Sequence, residues 1–198
     1  MRGDSYSAFE RKIIGPFRAW LAKITGPLVR ALNALGVPPN AVSFSQIPGG
    51  LAFVMLVKDH PRWAFIIFLS TLLMDGIDGA LARASGKASS FGALFDQLCD
   101  HTRETLAIAG LAAAGALSPF SGVLYAFTYV AFNFSLYIAN YFERPVPLAI
   151  KSYLIVYPAM FLYLWFGINW LDLAVDLCIA VMWAVIIQAL LRLRQVMK

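Results

Sequence analysis

The sequence is poor in charge, in histidine and in cysteine. Asp, Glu, Lys and Arg make up 14% of its 198 residues, whereas a soluble domain carries about 25%. A chain that is 60% hydrophobic with a mean hydropathy of +0.70 cannot cover a water-exposed fold with polar groups and reads as a polytopic membrane protein. Cys99 and Cys178 lie far apart inside apolar runs without metal-ligand spacing. That excludes a disulfide framework and leaves two small buried hydrophobes. His60 and His101 come without the partners of a nucleophilic site, so His60 reads as a hydrated loop residue and His101, beside Asp100, as a contact near a site. The opening MRGDSYSAFERKIIGPF lacks the order of a cleaved signal peptide, and the N-terminus is expected to be retained.

What charge there is, is unevenly placed. Arg2, Arg11, Lys12, Arg18, Lys23 and Arg30 precede the apolar runs, and Arg192, Arg194 and Lys198 follow them, the bias of cytoplasmic ends. The excess of +5 therefore points to membrane headgroups, not to nucleic acid. Over residues 5–33 Phe9, Ile13, Phe17, Trp20, Leu21, Ile24, Leu28 and Leu32 recur at helical spacing with cations between them, as in an interfacial amphipathic helix. Gly15-Pro16 and Gly26-Pro27 are expected to kink it.

From residue 37 on, each apolar run approaches the roughly 20 residues that cross a hydrocarbon core. Six spans are expected: about Asn40–Val57, Trp63–Ala84, Ser90–Leu117, Pro119–Phe142, Leu148–Phe166 and Leu171–Leu193. Asn40 is placed to cap the first. Ser43, Ser45, Gln46 and Pro48-Gly49-Gly50 fill the first half of that span and predict a face turned to protein or ligand. The resulting expectation is an all-α protein, an amphipathic segment at 1–36 followed by a six-helix transmembrane catalytic domain at 37–198.

Four aspartates break the apolar pattern. Asp75 and Asp78 are three residues apart, Asp96 and Asp100 four apart, so each pair shares a helix face. The short Gly86-Lys87-Ala88-Ser89 turn lets the two faces converge. A carboxylate deep in a bilayer costs roughly 2.5 to 3.5 kcal/mol, so four together need cations. Oxygen-only ligands suit Mg²⁺ or Mn²⁺, which commonly keep positions for substrate phosphates. Gly79 and Ala82, one turn onward from Asp75 and Asp78, and Gly92, one turn before Asp96, leave room for a bulky ligand.

The pattern Asp75-x-x-Asp78-Gly79-x-x-Ala82-Arg83, eight residues, then Gly92-x-x-x-Asp96-x-x-x-Asp100 resembles the signature of the CDP-alcohol phosphotransferase family at all eight fixed positions. The resemblance implies a six-helix, homodimeric membrane enzyme of phospholipid synthesis that uses CDP-diacylglycerol. It further implies two Mg²⁺ or Mn²⁺ ions on Asp75, Asp78, Asp96 and Asp100, with Asp100 also the general base. Asn40, Ser43, Asp75, Asp78, Gly79, Ala82, Arg83 and Gly92 would bind the nucleotide, at the cytoplasmic face of a prokaryotic plasma membrane. The cations Arg103, Arg144, Lys151 and Arg192 are candidates to bind a phosphorylated acceptor such as glycerol 3-phosphate or an inositol phosphate; inositol or serine would need fewer cations. A cation transporter or channel would want its carboxylates near the midplane on repeat-related helices, and the sequence shows neither.

Overall fold

The computed structural model describes residues 23–147, 149 and 152–195. Among them there are helices and connecting turns and no strand. Residues 1–22, which carry most of the expected interfacial helix, and Lys151 lie outside the described residues. The chain divides into two compact units, one formed by Pro16–Ala114 and the other containing Gly115–Lys198.

In the first unit, α1 covers 23–34 and runs through Gly26-Pro27. It ends at Gly36, whose φ of 71° is a conformation that glycine adopts without a Cβ penalty. The expected apolar face of this segment is only partly left for lipid. Val29 is buried with Val42, Ile77 and Leu81, and Leu32 packs on the same cluster, while Ile24 and Leu28 stay exposed.

The continuous first span expected at Asn40–Val57 is instead two helices, α2 (Pro39–Phe44) and α3 (Gln46–Leu56), with Ser45 between them. The reason is Pro48, which has no N–H to offer the Phe44 carbonyl. Asn40 does not cap. Pro38 is the N-cap and Pro39 takes the first helical position, where its fixed φ is already helical, so Asn40 falls inside the first turn.

Two helices of equal length follow, α4 (Pro61–Ala84) and α5 (Ser90–Ala113). Gly86, with φ 67°, closes α4 as the Lys87 N–H donates to the Ala82 carbonyl at 3.0 Å. Ser89 opens α5 by accepting the Gly92 N–H at 3.0 Å, the usual serine cap. α2 and α3 both pack against α4 and α5, wedged along the pair, and small residues make this possible. An ideal Cβ on Gly49 would lie 2.3 Å from Thr71 Cγ2, one on Gly50 2.9 Å from Leu106 Cδ1, and one on Gly110 3.2 Å from the Val54 Cα.

The second unit holds α6 (Pro119–Tyr141), α7 (Ser152–Phe166) and α8 (Leu171–Arg194). Asp172 Oδ1 accepts the Ser118 N–H at 2.8 Å and Asn169 Nδ2 donates to the Ala116 carbonyl at 2.8 Å, so the starts of α6 and α8 are tied together. At the other end Arg192 Nη1 donates to the Pro145 carbonyl at 2.9 Å. The two helices are parallel neighbours.

Among the described residues three helices, α4, α6 and α8, are long and apolar enough to cross a membrane; at 1.5 Å per residue each exceeds a core of about 30 Å. α5 has the length but carries Asp96, Asp100, Arg103 and Glu104. α7 has 15 residues with Pro158 inside it, and the first expected span is broken at Ser45.

The close approach of α3 predicts that Gly50→Val overpacks the unit, since Leu106 and the Arg103 backbone, 3.4 Å from an ideal Cβ, cannot both withdraw. A loss of about 1 to 3 kcal/mol is expected, read as a lower melting temperature in detergent. Wild-type melting would show that the helices are not held this closely.

Candidate active site

The aspartates converge where α4 turns into α5. Asp75 and Asp78 lie on α4, about two turns before its end, and Asp96 lies about two turns into α5. Asp75, Asp78 and Asp96 each offer a carboxylate oxygen, and these three oxygens all lie within 4.8 Å of one another. Asp78 is the most enclosed, at 3% exposure. Asp75 and Asp78 of α4 thus meet Asp96 of α5 across the two helices, and Asp100 follows Asp96 one turn on along α5.

Helical spacing explains this: residues three or four apart on each helix present stacked carboxylates, and two such ladders meet.

The wedge of α2 and α3 supplies one of the aspartates' polar contacts directly and braces another. Ser43 Oγ, buried on α2, donates to Asp78 Oδ2 at 2.6 Å. Arg103, one turn after Asp100, is 3% exposed; its Nη1 donates to Asp100 Oδ1 at 2.9 Å and also to Gln46 Oε1. The hydroxyl of Ser43, expected at the nucleotide, is thus spent at least in part on an aspartate. The guanidinium of Arg103, expected at the acceptor, reaches Asp100.

Of the other expected nucleotide contacts, Asn40 on α2 comes to the start of α5, its Oδ1 3.4 Å from where a Cβ on Gly92 would stand. Arg83 is exposed and folds back over Gly79, with Nη1 3.4 Å from that residue's ideal Cβ. Ala82 is half-buried on the same helix. Arg192 donates to the carbonyl of Pro145, the residue after Arg144, at one end of the second unit, and Lys151 is not among the described residues.

Gln46 was legible only as a polar residue in a protein-facing half-span. Its spacing of three from Ser43, which puts both on one helical face, was the available signal.

Magnitudes show what the cluster requires. Two full charges 4.8 Å apart repel by roughly 3.5 kcal/mol at an effective dielectric of about 20, and three carboxylates make three such pairs. One hydroxyl donor to a charged group returns about 1.5 to 3 kcal/mol. Hydrogen bonding alone leaves a deficit that a divalent cation fits. Asp96 Oδ1 is buried without a hydrogen-bond partner, which is the form of a ligand atom awaiting a cation, and the donors are all oxygen, the set that Mg²⁺ or Mn²⁺ prefers.

The family model described as CDP-alcohol phosphatidyltransferase matches residues 37–191. A phosphatidylinositol phosphate synthase of Mycobacterium marinum is 33% identical over 102 residues, 48% of this chain and 41% of the relative. An archaetidylinositol phosphate synthase of Pyrococcus horikoshii is 33% identical over 97 residues, 47% of this chain and 52% of the relative. A CDP-diacylglycerol–inositol 3-phosphatidyltransferase of Schizosaccharomyces pombe is 30% identical over 76 residues, 38% of this chain and 32% of the relative. The chain thus spans about half the length, or less, of these relatives.

The Ser43 contact predicts that Ser43→Ala, which strips Asp78 of a buried donor, costs about 1 to 3 kcal/mol of stability. Ser45→Ala should cost clearly less, since Ser45 Oγ only donates to the Val42 carbonyl within its own turn. Thermal melts of the two variants check this; equal losses would reduce Ser43 to an ordinary helix serine.

Proposed function

The chain belongs to the CDP-alcohol phosphatidyltransferase family, and from that premise we propose that it transfers the phosphatidyl group of CDP-diacylglycerol to a small polar alcohol and releases CMP. The observation that carries this reading is the convergence of Asp75, Asp78 and Asp96 within 4.8 Å, with Asp100 held beside them by Arg103. We favour an inositol phosphate as acceptor. The Mycobacterium and Pyrococcus relatives are named for products that carry inositol and a further phosphate, and transfer to inositol phosphate yields such a product in one step. The Schizosaccharomyces relative is named for inositol, which makes the neutral alcohol the second reading.

In the proposed mechanism, Asp75, Asp78 and Asp96 would hold Mg²⁺ or Mn²⁺. When bound, the cation supplies Lewis-acid polarisation of the diphosphate and neutralises charge gathering on CMP. Gly79, Ala82 and Gly92 leave room for the nucleotide, while Asn40 and Arg83 border it. Asp100 accepts the proton of the attacking hydroxyl, which is a weak nucleophile until it loses that proton. The hydroxyl oxygen bonds to the phosphorus that carries diacylglycerol, and the bond from that phosphorus to the CMP oxygen breaks. No covalent enzyme intermediate is needed. Arg144, Lys151 and Arg192 are the cations we assign to the phosphate of the acceptor.

The same reading takes α2–α3, α5 and α7 into the membrane with α4, α6 and α8, giving six spans. It keeps the basic ends and the aspartate site at the cytoplasmic side of a homodimer, in a prokaryotic plasma membrane.

Purified protein with CDP-diacylglycerol and Mg²⁺ or Mn²⁺ is expected to release CMP faster with inositol phosphate than with inositol, glycerol 3-phosphate or serine. Release with none of them would sink the reading, and equal rates with inositol and its phosphate would remove the phosphate from acceptor recognition.

A test independent of turnover is Mn²⁺ itself. At a hundred times its Kd it should stabilise the wild type by about 2.7 kcal/mol and so raise its melting temperature, and Asp96→Asn should abolish most of that gain. A variant stabilised as much as the wild type would take Asp96 out of the ligand set.

A further inference from the structure

Arg103 is a buried cation whose visible bonds run to protein. Its Nη1 donates both to Asp100 Oδ1 at 2.9 Å and to Gln46 Oε1. Gln46 is fully buried at the start of α3. A guanidinium has donors only, so the glutamine must turn its oxygen toward Arg103; its Nε2, which has no partner, is the other end of the same planar amide. A buried amide left half-satisfied is costly, and it marks a geometry maintained at some expense to stability.

The backbone is shaped for this contact. Gly50, one turn beyond Gln46, admits α5 so closely that its ideal Cβ would lie 3.4 Å from the Arg103 Cα. Ser43, one turn before Gln46, holds Asp78 Oδ2. One face of the α2–α3 wedge therefore grips α4 through Ser43 and Asp78, and α5 through Gln46, Arg103 and Asp100.

We propose that Gln46 and Arg103 are positioning residues for Asp100. The guanidinium, held in place by Gln46, takes up Oδ1 and fixes the carboxylate rotamer, so that Oδ2 is the oxygen presented to the acceptor hydroxyl. The proton moves from that hydroxyl to Oδ2 as the new oxygen–phosphorus bond forms and CMP departs with the electrons of the broken one. This rests on the reading of Asp100 as the base. It assigns to Arg103 an effect on kcat, in place of the acceptor-binding role its charge suggests.

The test uses the full chain in nanodiscs with CDP-diacylglycerol, Mn²⁺ and inositol 1-phosphate. Gln46→Ala should lower kcat by about 10- to 100-fold, the scale of a misplaced catalytic group, with both KM values within about twofold of wild type. Gln46→Glu, which keeps an oxygen facing Arg103, should recover most of the loss. Arg103→Lys should also lower kcat, because one ammonium lacks the planar fork that spans both partners.

A wild-type kcat in Gln46→Ala would overturn the proposal, as would an Arg103→Lys variant whose acceptor KM rises while kcat holds. If Arg103→Lys does not fold, the Gln46 pair decides the matter. A wild-type chain that releases no CMP would bring down the functional reading and this proposal with it, whereas unaffected variants of an active wild type defeat this proposal alone.

Discussion

Mutual repulsion among carboxylates in an apolar surrounding is the constraint on which the first unit depends. Asp75, Asp78 and Asp96 bring oxygens within 4.8 Å of one another, and Asp100 follows one turn beyond Asp96, in a unit whose other helical positions are largely aliphatic or small. Nothing in the hydrophobic effect favours such a group. It persists because donors meet it, Ser43 of α2 at Asp78 and Arg103, one turn on along α5, at Asp100, and the remaining deficit is what a divalent cation would offset in the proposed enzyme.

The wedge of α2 and α3 is the part of the fold that reconciles these demands. Pro48 breaks the helix, and Gly49 and Gly50 strip its surface, so that the segment lies against both aspartate helices at close range. Close approach is useful here because a serine hydroxyl reaches only about 3 Å to its acceptor. A bulkier α3 would leave Asp78 buried without the donor it has. Interhelical hydrogen bonds and small-residue packing are the forces available where lipid competes with every apolar contact, and both are concentrated on this one segment.

The convergence of the aspartates was largely legible in the sequence, and its supporting contacts were not. Aspartates at spacings of three and four on adjacent helices announce convergence because helical periodicity is local, and the turn at Gly86 fixes how the helices are joined. The kink at Ser45 was missed although Pro48 was in view, because a hydropathy run does not register a single absent N–H. Asn40 looked like a cap because capping residues are read from side-chain type, whereas Pro39 settled the helix start through its backbone. The charge of Arg103 is visible in sequence, whereas its burial and its contacts with Asp100 and Gln46 are not.

Composition and local periodicity by themselves determined that the protein is helical and apolar, that α4, α6 and α8 have membrane-crossing length and character, and that four aspartates fall on two facing stripes. These properties depend on residues a few positions apart. Only the tertiary structure decided which partners the aspartates have. Ser43 lies 35 residues from Asp78 and Gln46 lies 57 from Arg103, and such pairs meet only through the packing of a third element. The aspartate stripes of Met74–Glu104 are thus half of the site, and the wedge that precedes them in the chain is the other half.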